Sequence, residues 1–231
     1  MPADPYETVA SVIGRGRARG ATVLVGIAGG VAVGKSATAA ALAGALGGTV
    51  EIVSSDGFLL PNAELERRGM FARKGFPESY DCEAIERFLD QARSGPYPIR
   101  LPEYSHQAYD VVPDARTIQR RPDVLLFEGV NVLRFASSLD VRIYVDADLE
   151  DMERWYVERF RALSAEPEPG TFYALFRGLP ADELDEVARA VWREVNLLNL
   201  TEAIGPTRAY ADIVLEKAGD HSIARMTGTA I

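Results

Sequence analysis

The residues best suited to chemistry form one run, Gly29-Gly30-Val31-Ala32-Val33-Gly34-Lys35-Ser36, which fits the spacing G-x-x-x-x-G-K-[ST]. Glycines at such positions let the backbone turn tightly and bring its N–H groups against an anion. The lysine reaches terminal phosphates, and the serine hydroxyl suits a magnesium ion. Gly29 to Ala37 are therefore candidate nucleotide contacts, with Lys35 neutralising charge and Ser36 a metal ligand. The rival reading is a glycine-rich strand-to-helix turn without a ligand.

Two acids end apolar runs. Glu128 follows Asp123 to Phe127 (DVLLF), where an acid handles magnesium or its water. Asp56 follows Val50 to Val53 through two serines. At the C-terminal end of a parallel strand it would project into a ligand crevice, but Asp56-Gly57 is also an ordinary turn signal, and the residues alone leave both readings open. Tyr104, His106 and Tyr109 lie in the proline-rich stretch Ser94 to Pro113, expected to be an extended loop without regular structure. His106 is either a solvated residue or a ligand contact. Arg67, Arg68, Arg73 and Lys74 form the densest basic patch, a solvated surface or a cover over phosphates.

The elements that must position these groups follow from periodicity. A strand at Thr22 to Ile27 leads through the glycine loop into a helix at Ser36 to Leu46, stopped by Gly47 and Gly48. Further buried strands are expected at Val50–Val53, Asp123–Phe127, Val141–Val145 and Asp212–Leu215. Five apolar strands interleaved with helices predict an α/β fold: one domain with a doubly wound, parallel five-stranded sheet and helices on both faces. Asp81 should cap a helix to about Arg93 that turns Ile85, Phe88 and Leu89 inward.

Between the fourth and fifth strands two long helices are expected. The first carries Leu149, Met152, Tyr156, Phe160 and Leu163 on one stripe, with Arg159 at its edge. The second, Asp182 to Leu200, should bury Leu184, Val187, Val191, Val195 and Leu198, with Asn199 on that face and Asn196 at its flank. Buried amides require partners, so at least one should bond a ligand or the backbone. Ser164 to Gly170 is a lid or a linker, and Tyr6, Val9, Val12 and Ile13 suit a short amphipathic helix before the first strand.

Lys and Arg total 25 against 34 Asp and Glu, a net charge of −9 that disfavours nucleic acid and acidic membrane surfaces as partners. Cys82 is the only cysteine, which excludes an intrachain disulfide and suits a cytoplasmic chain. Arg15, Arg17 and Arg19 before an apolar run imitate a signal peptide, but Lys35 ends that run too early for a membrane span.

Several blocks together resemble the bacterial type I pantothenate kinases, P-loop kinases related to uridine kinase and phosphoribulokinase. They are GGVAVGKS (29–36), SDGFLLPN (55–62), RRGMFARKGFPESYD (67–81), PEYSHQAYDVVPD (102–114), LLFEGVNVL (125–133), IYVDA (143–147), WYVERF (155–160), VWREVNLLNL (191–200) and PTRAYADIVLEK (206–217). The phosphate loop is generic, whereas GFPESYD and YSH are specific. The resemblance implies an ATP- and magnesium-dependent kinase that phosphorylates a small molecule, pantothenate, at the first step toward coenzyme A, and it implies a homodimer.

It makes Asp56 the general base and places Tyr104, His106, Tyr156 and Asn196 around the polar parts of the acceptor, with Phe160 and Tyr173 near its hydrocarbon parts. Lys35, Ser36, Glu128 and Arg159 would serve ATP and magnesium, Arg159 stabilising charge on the transferring group. The chain departs from the family in having Ala40 where an arginine involved in feedback inhibition by coenzyme A is common, Leu163 and Leu197 in place of aromatics, and a short N-terminal segment. Two other readings are a kinase for another hydroxylated metabolite, such as a nucleoside or pantothenate analogue, and a nucleotide-binding regulator without transferase activity.

Overall fold

The apolar runs β1 (Val23–Gly29), β2 (Val50–Ser54), β5 (Val124–Glu128), β6 (Val141–Ala147) and β7 (Ile213–Lys217) join with β8 (Ile223–Gly228) in a six-stranded sheet of order β2-β5-β1-β6-β7-β8. The computed structural model describes residues 4–15, 21–106, 108–167, 169 and 171–228. The five expected strands are present and parallel to one another. β8 is a sixth, pairing antiparallel with β7 at the edge. It has no apolar run to announce it: only Ile223 and Met226 are even half-buried.

Every residue of β1 and β5 is buried. Since alternate side chains point to opposite faces, the centre of the sheet is covered on both sides. α1 (Pro5–Arg15), the short amphipathic helix expected near the start, buries Val9, Ala10, Val12 and Ile13 and packs on α2 (Lys35–Ala45). α3 (Asn62–Arg67) is a short piece, and α4 (Cys82–Ser94) buries Ile85, Phe88 and Leu89. Its cap is as expected, with the Ala84 N–H donating to Asp81 Oδ1 at 2.9 Å.

The stretch from Ser94 to Pro113 is not an irregular loop. β3 (Ile99–Ser105) and β4 (Asp110–Ile118) form an antiparallel hairpin apart from the main sheet. Most of β4 is exposed or half-buried, so no core alternation marks it. The hairpin docks on the turn after β2, where a Cβ on Gly57 would lie 2.4 Å from the Pro102 carbonyl oxygen.

α5 (Leu149–Ala165) buries Met152, Tyr156 and Phe160 as expected, together with Trp155 and Val157. Leu149, its first residue, is instead 51% exposed, and Leu163 is half-buried. The next helix begins as α6 (Ala181–Val191) and turns inward one residue away from the expected stripe. Asp185, Ala188 and Trp192 are buried, whereas Leu184, Val187, Val191 and Val195 are half-buried and Leu198 is 38% exposed. Arg161 of α5 holds Asp185 in a two-pronged ion pair, drawing a charged residue into the contact that hydrophobic periodicity counts as outward. Beyond it lie two wide π-type turns, Trp192–Asn196 and Leu200–Ile204, on either side of α7 (Leu197–Asn199). Ser164 falls inside α5; Glu168 and Gly170 of the expected lid, and Arg17 and Arg19, lie outside the described residues.

Candidate active site

At the end of β1 the backbone enters conformations that favour glycine: φ is +151° at Gly29 and +86° at Gly34. A Cβ on Gly29 would fall 2.2 Å from the Val145 carbonyl oxygen, and one on Gly34 would fall 2.6 Å from Lys217 Nζ. α2 starts directly after, so its unpaired N–H groups and positive dipole end face the loop. Gly29, Gly30 and Val33 are buried and contribute backbone; Val31, Ala32, Lys35 and Ser36 line the cleft, and Ala37 is exposed on the first turn of α2.

Lys35 Nζ donates to the Gly30 carbonyl at 2.8 Å, and Ser36 Oγ donates to Glu128 Oε1 at 3.0 Å. Withdrawal from water lowers the Lys35 pKa, opposed by Glu128 and Asp56 nearby. The same withdrawal raises that of Glu128, which is 7% exposed, against the pull of Lys35. The groups set an ammonium and a carboxylate of opposite charge beside a hydroxyl, an arrangement suited to phosphate and a hard cation.

Across the cleft, Asp56 sits in a 3₁₀ turn (Ser55–Phe58) at the end of β2. Tyr80 donates its hydroxyl to Asp56 Oδ1 at 3.0 Å. Burial and the Asp56 charge push the Tyr80 phenol far up, keeping it a donor. Tyr104 and His106 extend from the tip of β3, ring centroids 5.1 Å apart. Arg159 on α5 approaches His106, Nη2 to Nε2 3.2 Å, which with a guanidinium donor requires an accepting, neutral imidazole. Desolvation and that guanidinium lower the His106 pKa, in keeping with the neutral ring.

Tyr156 and Phe160 come from the buried stripe of α5, and Tyr173 from a 3₁₀ turn (Phe172–Phe176) whose ring stands edge-on to Phe160 at 5.4 Å. Asn196 closes the first wide turn, within hydrogen-bonding influence of Tyr156. Asp56, Tyr104, His106, Tyr156, Arg159, Phe160, Tyr173 and Asn196 thus line one cleft with Lys35, Ser36 and Glu128. Asp56 does sit in a turn and His106 is exposed, and both line this cleft.

Sequence pattern does not single out two residues of the cleft. Tyr80 is brought there by the Leu59–Tyr80 bridge. Lys74 is one of four basic residues in its patch; Arg67 and Arg68 pair with Glu64, and Arg73 with Glu78, so three are surface ion pairs. Lys74 alone turns inward, donating to Asn62 Oδ1 at 2.5 Å and the Tyr109 carbonyl at 2.6 Å, with its ammonium 4.8 Å from the Tyr104 ring centroid. Burial lowers its pKa to about 8 despite Asp110 and Asp56. The glycine that follows it is the available signal, since Gly75 has φ +92° and turns the chain inward at that point.

The comparisons with known proteins agree with this geometry. A profile of the phosphoribulokinase/uridine kinase family matches residues 24–160. A pantothenate kinase of Streptomyces coelicolor is 42% identical over 92% of this chain and 71% of its own length. One of Clavibacter sepedonicus is 46% identical over 91% and 71%. Among solved structures, D-glycerate 3-kinase from Cryptococcus neoformans superposes with a TM-score of 0.62 at 11% identity, covering 97% of this chain and 99% of that one, which speaks for the fold alone. The chain belongs to the pantothenate kinase family, within the phosphoribulokinase/uridine kinase group of P-loop kinases.

Proposed function

We propose that the protein transfers the γ-phosphoryl group of ATP to the primary hydroxyl of pantothenate, giving 4′-phosphopantothenate and ADP. The observation that carries this reading is the shared cleft: the Asp56 carboxylate faces the same space as the Lys35–Ser36–Glu128 group. Asp56 accepts the hydroxyl proton as the oxygen attacks phosphorus, the bond to the β–γ bridging oxygen breaks, and ADP leaves with the electron pair. Lys35 and Arg159 offset charge on the transferring group. Positioning and charge neutralisation supply most of the acceleration in such reactions, because little covalent work falls to the protein.

The acceptor's polar groups meet Tyr104, His106, Tyr156 and Asn196, and its hydrocarbon parts meet Phe160 and Tyr173. Lys74 adds a positive charge on the acceptor side, suited to a carboxylate or a phosphoryl oxygen. The donor set fits magnesium: Ser36 Oγ and the Glu128 carboxylate are hard oxygen groups 3.0 Å apart, and magnesium typically binds through one or two protein oxygens, substrate phosphates and water. Bound there, it would neutralise phosphate charge; no cluster of three or more His, Cys, Asp or Glu offers another cation site among the described residues.

A cytoplasmic homodimer completes the proposal. No helix among the described residues is long and apolar enough to cross a membrane. The test is ADP release with pantothenate, uridine and pentose alcohols, with and without magnesium. Pantothenate-dependent release that requires magnesium is expected; no signal above the ATP-alone background with pantothenate would overturn the reading.

A further inference from the structure

Gly75 is a junction between elements. Its carbonyl accepts one amide N–H from Asn131 Nδ2 and a second from Asn199 Nδ2, each at 2.9 Å. Its own N–H donates to Ser79 Oγ at 2.9 Å. Asn131 and Asn199 are 4% and 3% exposed, and neither amide oxygen has a hydrogen-bond partner among the described residues. A buried, unpaired amide oxygen is a penalty that an aliphatic side chain of similar size avoids. What both asparagines gain in return is the same contact, a hold on one carbonyl.

That hold fixes the Gly75–Phe76 peptide plane, while Ser79 fixes the Lys74–Gly75 plane through the Gly75 N–H, and the two together set the direction in which Lys74 leaves the loop. Lys74 ends among groups from four other elements: Asn62 of α3, Asp56 after β2, Tyr104 of β3, and Tyr109 and Asp110 of the hairpin turn and β4, with Phe71 of its own loop. Asn131 lies three residues past Glu128, and Asn199 three past Asn196. The two amides therefore tie the Lys74 loop to the strand end that faces the phosphates and to the helix that faces the acceptor.

We propose that Asn131 and Asn199 are positioning residues whose amides together clamp Gly75 and so hold the Lys74 ammonium in the acceptor half of the cleft. This rests on the acceptor reading above, and the test separates the two. Asn131→Leu and Asn199→Leu remove the donors at similar size without adding charge; where leucine prevents folding, the alanine variants are read the same way. In the full-length protein, acceptor KM for pantothenate should rise about tenfold, the scale of one lost hydrogen bond, while ATP KM stays within twofold. Acetic anhydride labelling of Lys74 against pH, followed by peptide mass spectrometry, needs no acceptor. Its midpoint should move up from about 8 in the native protein as the released ammonium gains water.

Unchanged acceptor KM with an unchanged midpoint overturns the clamp. So does a parallel rise in both KM values with the midpoint fixed, which is general loosening. If the native protein shows no pantothenate-dependent turnover, the functional reading fails, and the labelling midpoint alone still decides the clamp.

Discussion

The two ends of the cleft are built in opposite ways. The phosphate end is nearly contiguous: one loop, the first turn of α2 and one carboxylate on the neighbouring strand, with Ile27 of β1 beside Glu128 of β5 in the parallel register. The proposed acceptor end is gathered from Lys74, Tyr104, Tyr156, Tyr173 and Asn196, no two of them on the same regular element. A phosphate is satisfied by backbone N–H groups and a helix end, which need only glycine spacing. A hydroxylated acceptor must be met by side chains, and only the tertiary fold brings those together.

If the division is real, substitutions should sort by end. The largest effect belongs to the group between them. Asp56→Asn is expected to lower kcat about 100-fold or more while leaving ATP affinity in place, measured by steady-state kinetics and calorimetric titration of nucleotide. Near-normal turnover would remove Asp56 from the chemistry.

At the phosphate end, Gly34→Ala puts a Cβ where φ is +86° and Lys217 Nζ is 2.6 Å away. ATP KM should rise about tenfold with acceptor KM unchanged, the strain being on the order of 1–3 kcal/mol. At the acceptor end, Asn196→Ala should do the reverse, raising acceptor KM about fivefold, as for one hydrogen bond of ~1 kcal/mol. If either variant moved both KM values equally, the two ends would not be separable.

A pH profile sharpens the same contrast. Lys74 is charged below its lowered pKa of about 8, so acceptor kcat/KM should fall as pH rises through that value. Lys74→Met should start lower and lack that limb; persistence of the limb would assign it to another group. The smallest effect is expected outside the cleft. Leu149 is 51% exposed, so Leu149→Ser should shift stability by no more than about 0.5 kcal/mol in denaturant unfolding, whereas a buried leucine would cost several.

The same contrast governs what could be read from the chain. β1 and β5 announce themselves because strands buried on both faces are continuous apolar runs, β6 and β7 nearly do the same, and the half-buried edge strand β2 is marked by its valines and isoleucine. The β3–β4 hairpin does not, since only Ile99, Leu101 and Ile118 at its base join the core while most of β4 is exposed or half-buried, and Pro102 and Pro113 argue against strands there. The glycine loop specifies its own geometry through Gly29 and Gly34, so the phosphate end is legible locally. Asp56 and His106 stay ambiguous until neighbouring blocks are considered together. Lys74 is hidden among arginines whose ion-pair partners, Glu64 and Glu78, are themselves ordinary surface acids. Periodicity misplaces the inward face of α6 because Asp185 is buried by its pairing with Arg161, an interaction between helices that no single-helix pattern contains.

The two wide turns at Trp192–Asn196 and Leu200–Ile204 carry one consequence for how this helix tolerates change. A π-type turn holds one residue more than the α-helical path across the same span, so it absorbs a length difference without unwinding the helix. Removing one residue from inside Trp192–Asn196 would tighten that turn to an α-helical one and leave Asn199 facing as before. Removing one from α6 instead would rotate everything downstream by about 100° and turn Asn196 and Asn199 out of the cleft. A deletion of the same size is thus absorbed in one turn and disruptive in the turn before it.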